Sequence, residues 1–189
     1  MKNHLRSIVT TVCVGVLSPV LAATAQEEVA RIEISGTSTV RGWTCPADGA
    51  MSVSAEGGAA ALPGLPNGVG TVTIRVQVRE IECPEEQMKE HLQEAMEAPQ
   101  HPEIVYQLQQ YTVAGDTAAT TGTITIHGVT QPISLDIELT DSPDGARGIG
   151  QTEIDMTAFG VTPPSLWGGL LSVGETVQIQ FNAPMPSAP

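Results

Sequence analysis

Outside the first 25 residues, three histidines, His91, His101 and His127, are the side chains best suited to proton transfer or metal ligation. A metal would need two or three of them to converge. The pattern places His91 on a helix, His101 in the turn after it and His127 at a strand end, so they read as surface or capping residues. No HExxH and no calcium-loop spacing is present. Glu153 and Asp155 lie two apart, on one face of a strand, where paired carboxylates could trade protons. Carboxylates so placed are far more often solvent-facing. The serines lack a GxSxG setting, and the glycines fall in turns rather than in a phosphate cradle. The chain therefore reads as a non-enzyme with no catalytic residue, no metal site and no cofactor.

Cys45 and Cys83 remain once the N-terminal Cys13 is set aside. Neither belongs to a CxxC, and two thiolates without a histidine pair make a poor zinc site. In an oxidising compartment the pair predicts a disulfide, against two free thiols or half of a metal site.

The compartment follows from the N-terminus. Lys2 and Arg6, the apolar run Ile8 to Leu21 and the small-x-small Ala23-Thr24-Ala25 have the build of an export signal, cleaved near Ala25-Gln26. The expected organisation is a signal peptide over 1–25, one domain over 26–183 and a tail over 184–189, periplasmic or secreted. Cleavage removes two of eight basic residues and no acidic one, leaving six against 21, a formal charge of −15. Such a surface repels phosphate backbones, so nucleic acid is not a partner.

The elements that must position these residues are mostly strands. In Gly122 to Leu139 (GTITIHGVTQPISLDIEL), Ile124 and Ile126 alternate with threonines, and Ile133, Leu135, Ile137 and Leu139 alternate with polar residues. Successive strand side chains point to opposite faces, so each strand has one apolar and one wet face. Val72, Ile74, Val76 and Val78 repeat the pattern, as do Ile32 and Ile34, Ile104 to Tyr111, Gly148 to Met156, and Val177, Ile179 and Phe181. Asp48-Gly49 predicts a hairpin turn before a weaker strand, Ala50 to Glu56. Turns are also expected at Ala114-Gly115-Asp116 and Ser142-Pro143-Asp144-Gly145, and a proline- and glycine-marked loop over Leu62 to Gly68. The one helix spans about 84–97: Met88, Leu92, Ala95 and Met96 form a stripe, and Glu85 and Lys89 an i, i+4 pair. The fold class is all-β: about eight antiparallel strands that close into a barrel, with a sandwich as the competing arrangement, plus one amphipathic helix.

Three segments in order, KEHLQEAMEAPQHPEIVYQL (Lys89 to Leu108), GTITIHGVTQPISLDIEL, and DMTAFGVTPPSLWGGLLSVGETVQIQF (Asp155 to Phe181), resemble the YceI-like family. The resemblance covers roughly Ile32 to Phe181. It implies a lipocalin-like barrel with a helix over it, exported and enclosing a polyisoprenoid or similar amphiphile. The chain departs from that pattern in its first strand, Ser35 to Val40 with Trp43-Thr44-Cys45, and in its cysteine pair.

The inward-facing set expected to line such an interior is Ile74, Val76, Leu108, Ile124, Ile126, Leu135, Ile137, Val177 and Ile179. Met156, Phe159, Met88 and Leu92 are placed near a mouth, with a ligand's polar head near Thr130, Thr162 or Trp167. The implied function is that of a binding or carrier protein for a polyisoprenoid, quinone or fatty-acid-like lipid. It would act as monomer or homodimer and be open to transient contact with a membrane or membrane protein. The competing reading fills the barrel with its own side chains and makes it a protein-interaction or stress-associated factor working through the loop Ala158 to Leu171.

Overall fold

The period-2 segments form strands whose burial follows their spelling. A computed structural model describes residues 27–54, 61–62, 68–141 and 145–185. Its strands are β1 (Glu27–Ser38), β2 (Gly42–Ser54), β3 (Thr71–Gln77), β4 (Glu103–Ala114), β5 (Thr117–Ile126), β6 (Val129–Thr140), β7 (Arg147–Asp155), the two-residue β8 (Ser165–Leu166) and β9 (Leu171–Pro184). In β5, Ala118, Thr120, Gly122, Ile124 and Ile126 are buried, every second residue. All pairings are antiparallel. Each strand from β1 to β7 pairs with the next, β7 pairs with β9, and β9 returns to β1 through Ile34↔Ile179 and its neighbours. Eight strands thus close a barrel, with β8 appended to β9. Closure brings the inward apolar faces round one interior, and the β6–β7 seam is the shortest, four residue pairs from Ile137 to Thr140.

The first turn is not at Asp48-Gly49. Both residues lie inside β2, paired with Arg31 and Ala30, and the chain reverses instead at residues 38–41. There Ser38 N–H donates to the Arg41 carbonyl at 2.9 Å, and Arg41 N–H to Ser38 Oγ at 3.1 Å. Gly49 is required for space: a Cβ there would stand 2.7 Å from Ile74 Cγ2 and 3.0 Å from Ile32 Cδ1. β3 ends one residue earlier than its alternation suggests, because Val78 enters a 3-10 turn, fully buried, and donates its N–H to the Pro102 carbonyl at 2.8 Å.

The turn between β5 and β6 takes only two residues, His127 (φ 50°) and Gly128 (φ 75°), the left-handed pair that a tight hairpin demands. Pro132 falls inside β6, opposite Thr123, in a stretch where β6 has only β5 beside it, since β7 pairs only with Ile137 to Thr140. Strands tolerate proline at such edges. Pro184, expected in the tail, pairs with Arg147 in β9. The export signal, most of the 62–68 loop, the 142–144 part of the turn and residues 186–189 lie outside the described residues. Among the described residues no helix is long and apolar enough to cross a membrane.

The helix α1 (Glu86–Ala95) is shorter than the 84–97 expected. Glu97 takes a left-handed φ of 46° and ends it. The expected Glu85–Lys89 pair does not form. Lys89 Nζ bonds Glu82 Oε1 at 2.8 Å, and Glu85 pairs with Arg41 on the turn after β1. Lys89 thereby ties the helix to the segment leading into it, and Glu85 ties the helix entry to the β1–β2 turn. Cys45, fully buried in β2, is bonded to Cys83, just ahead of the helix. The disulfide fastens the helix to the barrel wall.

Candidate functional site: a two-chambered apolar interior

The closed sheet does not fill its own centre. One cavity, about 160 Å³, lies between Met51, Leu62, Val72, Leu108, Leu135 and Leu139. The other, about 490 Å³, lies under the helix, among Trp43, Met88, Leu92, Ile126, Met156 and Val177. Ile34, Ile104 and Ile179 line both. These three side chains, from β1, β4 and β9, form a waist between two chambers of one interior. Ile34 and Ile179 are register partners across the closing β1–β9 pair, and Ile104 stands on β4, three strands from β1.

The expected lining residues divide between the chambers. Ile74, Val76, Leu108, Ile124, Leu135 and Ile137 border the smaller one; Met88, Leu92, Ile126, Met156 and Val177 border the larger; Ile179 borders both. All four members of the helical stripe face the larger chamber. Phe159 does not belong to the lining. It is buried within the hydrophobic cluster that also holds Ile126, Ile154 and Val161, at the end of the 3-10 turn Met156–Phe159. Of the residues placed near a polar head, Trp167 lines the larger chamber, whereas the Thr130 hydroxyl is hydrogen-bonded to Thr125 at 2.8 Å on the outside. The two other waist residues, Ile34 and Ile104, carry the same alternation and could have been found by counting inward positions. Trp43 on β2 and Val173 on β9 also line the larger chamber, and Val173 N–H donates to the Pro164 carbonyl at 3.0 Å.

Polar side chains in the smaller chamber are few, chiefly Tyr106, Tyr111, Thr120 and Thr152. Thr120 is buried and donates its hydroxyl to the Leu135 carbonyl at 3.0 Å. The Tyr106 hydroxyl is buried without a hydrogen-bond partner of good geometry. Burial pushes its pKa up, and the nearby Thr120 hydroxyl, already committed to Leu135, opposes this only in part. A buried phenol with an unused donor costs free energy and offers a hydrogen bond to whatever oxygen enters the chamber.

At the open end of the larger chamber, Val40, Trp167 and Leu170 are 69%, 73% and 77% exposed, unusually so for such residues. They are adjacent because Thr39 clasps the other loop: its Oγ1 donates to the Leu170 carbonyl at 3.0 Å, and its N–H to the Ser172 carbonyl at 3.0 Å.

The two carboxylates of the acidic pair are placed differently. Asp155 caps the 3-10 turn, accepting from Thr157 N at 2.9 Å and Thr157 Oγ1 at 2.6 Å, while Glu153 is exposed. The Thr157 hydroxyl, then its N–H, holds the Asp155 carboxyl below the usual range. A depressed folded-state pKa contributes stability above the unfolded value of about 3.9 that is lost as pH falls through the folded value. Thermal melts of Asp155→Asn from about pH 5 to about pH 2 should therefore fall less steeply than wild type below about pH 4. Parallel curves would remove this assignment. His101 and His127, expected to lie apart, meet edge to face with ring centroids 4.4 Å apart, while His91 stays on the helix against the larger chamber.

A closed antiparallel barrel, helix at one end and apolar chambers within, defines the lipocalin-like class of folds. The chain belongs to the YceI-like family, whose domain model matches residues 22–185. Similar solved structures include Burkholderia cenocepacia BcnA, with 16% identity and TM-score 0.63 over 83% of this chain and 96% of that one. A polyisoprenoid binding domain from Saccharophagus degradans, described as implicated in plant cell wall breakdown, is similar with 12% identity and TM-score 0.60 over 86% of this chain and 100% of that one. A Campylobacter jejuni YceI protein aligns with 15% identity and TM-score 0.51 over 99% of this chain and 100% of that one. At these identities the likeness is one of fold. None of the curated proteins matches the chain.

Proposed function

We propose that this chain is an exported, non-enzymatic binding or carrier protein that threads one long amphiphilic lipid, a polyisoprenoid, quinone or fatty-acid-like molecule, through both chambers. The observation that carries this reading is that Ile34, Ile104 and Ile179 border both apolar cavities, so the two adjoin inside the barrel. Ten methylenes buried along it contribute roughly 8 kcal/mol at ~0.8 each, the scale of micromolar affinity before ordering costs. A lipid with an oxygen at its buried end would also give the Tyr106 hydroxyl its missing partner. The apolar lip of Val40, Trp167 and Leu170 supports loading by brief contact with a membrane or membrane protein, since aromatic and aliphatic side chains at an opening partition into the lipid interface. The acidic balance, 21 carboxylates against eight basic residues over the whole sequence, disfavours lasting adhesion to anionic headgroups. Export is supported by the N-terminal pattern and by the Cys45–Cys83 disulfide, which persists in oxidising compartments.

Native mass spectrometry of the chain purified from the exported fraction tests this. The expected spectrum carries one lipid adduct per chain, removed by organic extraction and identifiable in the extract. A chain that is bare on isolation and takes up neither prenyl lipid nor polarity-sensitive lipid dye would overturn the proposal.

A further inference from the structure

Among the described residues, one group gathers three metal-ligating side chains: Glu97, His101 and His127, whose ligand atoms all lie within 4.8 Å of one another. They come from three places. Glu97 follows the helix, His101 precedes β4, and His127 is the first residue of the β5–β6 turn. None lines either chamber.

The backbone holds the group together more tightly than a surface cluster needs. The Glu97 carbonyl accepts from Gln100 N at 2.8 Å and His101 N at 3.0 Å, so the two ligands share one turn. Glu97 and His127 are two of only three non-glycine residues with positive φ among those described, at 46° and 50°. Such conformations are sparsely populated and concentrate at functional sites. Gly128 lets the hairpin backbone come under the His101 ring, where a Cβ would stand 2.8 Å from Cε1. The remaining observation is chemical. His127 Nε2 is buried with no hydrogen-bond partner, and the nearest carboxylate oxygen, Glu97 Oε2, is 3.8 Å away. An imidazole nitrogen so placed has its lone pair or proton directed at a gap between a second imidazole and a carboxylate.

We propose that Glu97, His101 and His127 form a binding site for a divalent transition-metal ion of the zinc class. Two imidazoles and one carboxylate are a zinc donor set that leaves a fourth position for water. Zinc at about 2.0–2.1 Å from each donor would set the donors roughly 3.3 Å apart in tetrahedral geometry. The ligand atoms, now within 4.8 Å of one another, would draw in to that spacing on binding, with the 57% exposed Glu97 side chain approaching from solvent. The bound ion would staple the end of the helix to the β5–β6 hairpin and so fix the helix across the larger chamber. The site stands independently of the lipid reading, since its residues and those of the chambers are disjoint.

The test uses the untagged mature chain, stripped with chelator and titrated with Zn2+ by calorimetry and with Co2+ by visible absorption. The expected result is one saturable equivalent, tetrahedral-type cobalt bands and a higher melting temperature with zinc. Binding should be lost in His101→Ala and His127→Asn, weakened in Glu97→Gln and unchanged in His91→Ala. Asparagine at 127 tolerates the left-handed backbone and keeps the turn, and far-UV circular dichroism confirms each variant's fold. No saturable binding, binding that survives both histidine substitutions, or equal loss in His91→Ala would each overturn the site.

Discussion

Replacing Ile179 with tryptophan is expected to lower affinity for a long-chain prenyl lipid by at least about 100-fold, or about 2.7 kcal/mol, while a short-chain amphiphile still binds. Ile179 lines both chambers from β9, facing Ile34 across the closing seam of the barrel. An indole at that waist fills the place where the two cavities adjoin. A tail longer than the larger chamber then loses every methylene contact beyond it, each worth about 0.8 kcal/mol. A short ligand under the helix, against Met88 and Leu92, loses little. Folding stability separates this from simple damage. In an open waist the added ring enters free space, whereas in a filled core it would overpack by about 1–3 kcal/mol. Dye displacement with two chain lengths, alongside thermal melts, reads both. Equal loss for short and long ligands, or undiminished long-chain binding, would show that the chambers do not act as one path.

Removing the disulfide has the second large effect. Cys45 and Cys83 are 38 residues apart in sequence, and closing that loop restricts the unfolded chain by ~4 kcal/mol in the chain-entropy account. At about 2–4 °C per kcal/mol for a domain of this size, the Cys45→Ala/Cys83→Ala double variant should melt roughly 8–16 °C lower. The bond also anchors the helix entry beside Pro84, so lipid should exchange faster from the variant than from wild type. Melts with and without reductant, paired with a lipid-transfer rate, check both statements. An unchanged melting temperature after both thiols have been titrated would mean that the barrel alone sets the stability.

The two expectations draw on different layers of information. The strands, the helix and the cysteine pair are written locally. Thr117 to Thr140 spells two half-buried strands, the Met88–Met96 stripe spells a helix, and two cysteines left in an oxidising setting spell a bond. Period and composition are properties of neighbours along the chain, and so they can be read without coordinates. The nine anticipated lining residues on strands, Ile74 and Ile124 among them, border a chamber for the same reason: inward parity on a strand needs only counting, as the helical stripe does for Met88 and Leu92. Phe159 escaped the count because it lies on a 3-10 turn, where parity has no meaning.

Where residues far apart in sequence had to meet, the reading along the chain failed. Asp48-Gly49 looks like a turn, yet the glycine serves side chains from β1 and β3 that leave no room for a Cβ. Glu85 looks like a partner for Lys89, yet Arg41 and Glu82 are better placed once the helix lies on the barrel. His101 and His127 are 26 positions apart, and only the docking of the helix end against a hairpin brings their rings together. Periodicity along the chain was enough for an all-β fold with one helix and an oily strand face, and it favoured a barrel over a sandwich; the β1–β9 pairing that closes the sheet came from the structure. Whether that face encloses space was decided by tertiary structure alone, because a cavity is the difference between the volume a closed sheet surrounds and the volume its inward side chains occupy. Neither quantity is local: both depend on how all eight strands close.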